Sequence, residues 1–97
     1  MKNTFLAVSK AGAKRDLSKS SREQQYWDEH AAFIEGLVAN GFILLGRPFD
    51  DGGAMLIVRA DSEHQVRTTL AGDPWYAQEI LVLESVKRWD IFIDQRA

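Results

Sequence analysis

The run FILLGRPF-DDGG-AMLIVRA, residues 42–60, constrains this chain more than any other segment. Two apolar segments are joined by four turn-forming residues, and such a pattern folds as an antiparallel hairpin whose first strand ends at Pro48. Helix signatures flank the hairpin on both sides. Upstream, WDEHAAFIEGLVANG (residues 27–41) carries apolar residues at helical spacing. Ser20 with Glu23, and Ser21 with Gln24, have capping-box spacing, so the expected helix runs from near Ser21 to the Asn40-Gly41 stop. Downstream, Ser62 and Gln65 open a shorter helix with Val66 and Leu70 inward and Gly72 as its stop. Thr4 to Ser9 reads as a first strand, DPWYAQ as a loop, and EILVLESVKRWDIFID as a long strand or a bent pair. The order β-α-β-β-α-β predicts a ferredoxin-like α+β fold, with two helices on one face of an antiparallel sheet.

That architecture leaves one sheet face without a cover. The third strand is nevertheless apolar on both faces, Met55 and Ile57 against Leu56 and Val58. The last strand repeats this with Ile80 and Val82 against Leu81 and Leu83. A sheet open to water alternates instead. The expected solution is a homodimer packed sheet to sheet, a dimeric α/β barrel. Size points the same way: 97 residues make a single domain, 1–97, that buries only about 60–65% of its unfolded surface.

Composition excludes several classes. A net charge of -2 gives no basic field for nucleic acid or an anionic membrane. Without cysteine there is no disulfide, thiol nucleophile or thiolate metal site. The apolar run Phe5 to Val8 is too short for a signal-peptide core or a membrane span, so the expected location is the cytoplasm.

One residue breaks the helical pattern. On a wheel, Trp27, Ala31, Phe33, Ile34, Leu37 and Val38 share an arc about 160° wide, and His30 falls inside it, between Ile34 and Leu37. A side chain that must hydrogen-bond sits where the core expects hydrocarbon. Asp73 is a natural partner. It follows Gly72 and precedes Pro74, which biases it to extended backbone and places its carboxylate on a stiff segment. At the negative end of the preceding helix dipole that carboxylate requires a cation or donor. An aspartate bonded to one imidazole nitrogen would fix the tautomer and leave the other nitrogen to move a proton near pH 7. The alternative is a core histidine bonded to a backbone carbonyl, beside an Asp-Pro step that is only a turn.

Weaker candidates surround this pair. Arg47 and Arg59, on neighbouring hairpin strands, could grip an acidic substrate or simply reach for water. Trp75 could wall a pocket or fill the core. Lys10, Lys14, Arg15, Lys19 and Arg22 form a basic cluster in residues 10–22, read as a solvated connection rather than an anion-binding loop. His64 reads as exposed in the second helix's first turn, and Asp50 and Asp51 as turn residues beside Gly52 and Gly53. His30 and His64 are too far apart in sequence pattern to anchor a metal, and no cofactor is expected.

The combination of EHAAF around His30, the GFILLGRPF strand and GDPW after the second helix resembles the YCII-related family, across Thr4 to Ile93. Its members look like small dimeric α/β-barrel proteins. The resemblance implies that His30 and Asp73 act as a catalytic pair. It also implies kinship with a dehydrochlorinase of chlorinated aromatic breakdown and, in fold, with muconolactone isomerases. Arg47, where the family often has a small residue, and Lys87-Arg88 before Trp89, where a proline is common, depart from the pattern. The connection at residues 10–20 is also longer than in the shortest members. The expected function is a small-molecule-binding homodimer performing general acid/base elimination or isomerisation of an acidic or aromatic compound. A non-catalytic ligand-binding or accessory dimer stands as the alternative.

Overall fold

The computed structural model of the chain describes residues 2–90. A four-stranded antiparallel sheet is ordered β2-β3-β1-β4, from β1 (Asn3–Ala11), β2 (Ile43–Pro48), β3 (Ala54–Ala60) and β4 (Leu81–Arg88). Helices α1 (Trp27–Ala39), α2 (Glu63–Leu70) and the four-residue α3 (Pro74–Ala77) complete the ferredoxin-like arrangement expected from the element order. The continuation of the last strand through residues 91–94 lies outside the described residues.

Strand alternation divides the sheet cleanly. Phe5 opposite Val58, and Ala7 opposite Leu56 and Val86, point to one face. There they join Leu37 of α1 and Val66 and Leu70 of α2 in the main core. Each fully buried aliphatic of this cluster contributes about 2 kcal/mol of transfer free energy. On the other face lie Leu6 and Val8 of β1, Met55 and Ile57 of β3, and Leu45 of β2. Ile57 is buried by its neighbours yet lies outside the main core cluster, as this face requires. One residue goes elsewhere than expected. Ile80 precedes β4 and packs with Trp75 and Leu81 in a second cluster, leaving Val82 as the apolar residue of β4 on the open face.

The first helix starts later than its capping signature suggested. The Ser20 amide does donate to the Glu23 carboxylate at 2.9 Å, but the box opens only a 3-10 turn, Ser21–Glu23. Gln24 then turns extended, and its buried side-chain amide donates to the carbonyls of Asp16, Lys19 and Ser20. That tie holds the 10–22 connection against the domain. Tyr26, in left-handed backbone at φ 64°, redirects the chain into α1. The other end behaves as expected: Gly41 at φ 84° donates to Val38, and Phe42 donates to Leu37, the paired bonds of a Schellman stop.

Two further expectations are corrected. DPWYAQ is not a loop, because Asp73 caps a helical turn beginning at Pro74, a residue pre-set for that first position. Gly72 does not stop α2 through left-handed backbone: its φ is not positive, and Ala71 is the cap. Glycine serves there because a Cβ would come within 3.3 Å of the Phe33 ring. No helix among the described residues is long and apolar enough to cross a membrane.

Candidate functional site

The apolar arc of α1 is split between two environments. Leu37 is buried in the core with Phe33 packed against it. Trp27, His30, Ile34 and Val38, one stripe further round, wall a cavity of about 340 Å³. Val38 is 54% exposed for this reason. The far wall comes from the β2–β3 hairpin, Gly46 to Phe49, Gly52 to Ala54 and Leu56, and the floor from Trp75 and Tyr76 of α3. This volume falls in the range of small-molecule sites, which are mostly apolar with a few placed polar groups.

Inside this wall, His30 Nδ1 lies 2.7 Å from Asp73 Oδ2. The Asp73 side chain is fully buried and the His30 side chain is 13% exposed. Asp73 has a second bond, Oδ1 accepting from the Trp75 amide at 3.0 Å. Asp73 follows the C-terminus of α2, its amide donating to the Leu70 carbonyl at 3.0 Å, and its carboxylate has the donors that position requires. As the N-cap of α3 it meets the positive end of a helical turn and the orphan amides there. A carboxylate is acceptor-only, so the proton between it and the ring resides on Nδ1. Nε2 then carries the free lone pair. It has no protein partner among the described residues, and no buried side-chain nitrogen or oxygen lacks one, so Nε2 is open to solvent. An imidazole held in this tautomer can accept a proton at Nε2 and deliver it again.

Trp75 fixes the ring from the side. It stacks on His30 at 3.7 Å with planes 5° apart, while its indole N–H donates to the Gln25 carbonyl at 2.8 Å. Trp27 closes on both rings at 5.8–5.9 Å. Thus Trp75 both fills the second core cluster and lines the cavity.

The other candidates separate. Arg47, exposed on β2, lines the cavity. Arg59, also exposed, stands opposite Thr4 on β3 and is not among the lining residues. His64 is exposed in the first turn of α2 beside Thr68. Asp51 accepts the Gly53 amide at 3.0 Å within the hairpin turn. Two contributors were not singled out from sequence. Arg15, taken as part of a solvated connection, reaches the cavity with its guanidinium 5.7 Å from the Trp75 ring centre. Tyr76 lines it too, its hydroxyl 2.5 Å from the buried Ser9 hydroxyl. Burial pushes the Tyr76 phenol above its usual range, against the opposing effect of the Ser9 bond. A serine on the inward face of β1, where the core expects an aliphatic, was the available signal for the Ser9–Tyr76 pair.

No family model matches the chain, and no curated protein matches it. Among solved structures it is similar to 5-chloro-2-hydroxyhydroquinone dehydrochlorinase from Burkholderia phenoliruptrix, determined as a complex with 2,5-dihydroxybenzoquinone. The identity is 25% and the TM-score 0.68, over 90% of this chain and 93% of that one. This likeness supports the ferredoxin-like fold and the dimeric α/β-barrel superfamily for the chain.

Proposed function

We propose that this chain is a cofactor-independent acid/base catalyst of the YCII-related family, acting on a small aromatic or acidic compound by elimination or isomerisation. The observation that carries the proposal is the His30–Asp73 pair, with Nδ1 bonded at 2.7 Å and Nε2 left open on a cavity wall. In an elimination, Nε2 takes an acidic proton of the substrate and the freed electron pair expels a leaving group with its bonding pair. In an isomerisation the same proton is returned to another carbon. Either step needs a base of matched strength held in one tautomer, which contributes about 10²–10⁴-fold in rate. The dehydrochlorinase similarity favours elimination from a chlorinated, hydroxylated ring.

The test is chloride release from 5-chloro-2-hydroxyhydroquinone, run beside a panel of unsaturated lactones for isomerisation. His30→Gln should lower the rate at least 100-fold with the fold intact. Full activity in that variant would overturn the assignment.

The proposal includes a homodimer closed through the open sheet face. Leu6, Val8, Leu45, Met55 and Ile57 form a continuous apolar surface there, beyond what a water-facing sheet carries. Sedimentation velocity at micromolar concentration should give a dimer, and a monomer would end that part of the reading.

A further inference from the structure

The cavity has a charge pattern that the acid/base pair does not require. Its lining contains Arg15, Arg47 and His30 and, among the described residues, no carboxylate, although the chain as a whole is net acidic. Neither arginine has an Asp or Glu oxygen within 4 Å among the described residues. A guanidinium held partly out of water with no anion beside it is costly unless a ligand supplies one.

Arg15 is the better placed of the two. Arg47 is exposed on its strand, whereas Arg15 is half-buried and held on three sides. Its Nη2 donates to the Ser21 hydroxyl at 3.1 Å. Its guanidinium lies over Trp75, within the range of a cation–π contact. Its stem runs against Gly52, where a Cβ would stand 2.8 Å from Nε and 3.0 Å from Cδ. Gly52 also has φ 90°, so the hairpin turn both requires glycine and leaves the room Arg15 occupies. His30 and Arg15 thus sit within 6 Å of the centre of one indole, His30 at 3.7 Å and Arg15 at 5.7 Å. Both side chains line the same cavity, so an oxyanion held by Arg15 shares that cavity with the His30 imidazole.

The cavity walls select the ring. Trp27, Tyr76 and Phe49 add aromatic side chains to the lining, beside the His30–Trp75 stack, which favours a planar partner over a puckered one. We infer that Arg15 is the anion-binding residue of this cavity and that its ligand is a single-ring planar anion, a carboxylate or ring oxyanion directed at the guanidinium. Ser21 and Gly52 position Arg15, and Arg47 adds only a screened field at the rim. This deepens the proposed function and rests on its choice of cavity.

Binding of inert probes separates the two ideas, because benzoate offers no proton or leaving group to eliminate. Isothermal titration calorimetry is run with benzoate, benzamide and cyclohexanecarboxylate on wild type, Arg15→Met, Arg15→Lys and Arg47→Met. The wild type should bind benzoate at least tenfold more tightly than benzamide and at least threefold more tightly than cyclohexanecarboxylate. Arg15→Met should lose the tenfold preference while benzamide affinity is unchanged, which also shows that the cavity is intact. Arg15→Lys should keep part of the preference, and Arg47→Met should change it less than threefold. Equal benzoate and benzamide affinity in the wild type, or a preference that survives Arg15→Met or vanishes with Arg47→Met, overturns the inference. Retained turnover in His30→Gln with the benzoate preference intact would defeat the catalytic assignment and leave the anion subsite standing.

Discussion

Asp73 is the residue on which fold and site meet, and replacing it separates the two contributions. Its Oδ1 caps α3 through the Trp75 amide and its Oδ2 holds the His30 imidazole, the carboxylate itself being fully buried. Asp73→Ala removes both. Loss of an N-cap costs about 1 kcal/mol, and loss of a charge-assisted bond costs about 2 kcal/mol, so the variant should lose about 3 kcal/mol. Asp73→Asn keeps an oxygen for the Trp75 amide and removes a buried charge, so its loss should be about 1 kcal/mol. With a urea dependence of about 2 kcal/mol per molar, the midpoints should fall by about 1.5 M and 0.5 M. The asparagine also carries a distinct signature. With its oxygen committed to Trp75, its amide donates toward Nδ1, which forces the ring proton onto Nε2. The opposite amide orientation sets NH₂ against the Trp75 N–H and is excluded by the same bond. Long-range ¹⁵N–¹H correlation should find the ring proton on Nδ1 in wild type and on Nε2 in Asp73→Asn, which should also lose activity despite its fold. Equal destabilisation by the two substitutions, or an Nε2 proton in wild type, would refute the reasoning.

Other outcomes follow from single contacts. Burial raises the Tyr76 phenol above its unfolded value near 10, so the stability it contributes is full below about pH 10 and declines as pH rises through the folded value. Urea midpoints should fall above pH 10 in wild type, and Tyr76→Phe should flatten that fall. The Ser18 hydroxyl and amide hold the Asp16 carboxyl below its usual value, so its contribution is present above about pH 4 and is lost as pH falls through the folded value. Ser18→Ala should shallow the acid limb of the same titration. Gly52→Ala places a side chain at φ 90° and against Arg15, and should cost about 2 kcal/mol in urea unfolding while weakening benzoate binding. An unchanged midpoint with unchanged binding would mean that the turn does not position Arg15.

The sequence by itself determined the architecture and the identity of the central pair. Period-2 and period-3.6 patterns, the DDGG turn and the Gly41 stop are local signals, and each element they specify forms. His30 was legible because a polar residue in an apolar arc demands a partner, and Asp73 was legible through the Asp-Pro step and the resemblance carried by GDPW. Local signals also misled where tertiary contacts overrode them. The capping box at Ser20 became a separate turn because Gln24 prefers three loop carbonyls to a helical position. Asp73, just beyond the end of α2, proved also to be a helix start, because its side chain could meet the Trp75 amide. The α1 wheel gave one apolar arc, but hydrophobicity does not distinguish a residue facing packed core from one facing an apolar cavity. Only the placement of the β2–β3 hairpin decided that Leu37 is core, Val38 is wall and Ile34 touches both. Arg15 was hidden for the same reason. Within its own segment it is one cation in a polar connection, and its meaning comes from Trp75, sixty residues away in sequence, and from the bare Cα of Gly52 beside it.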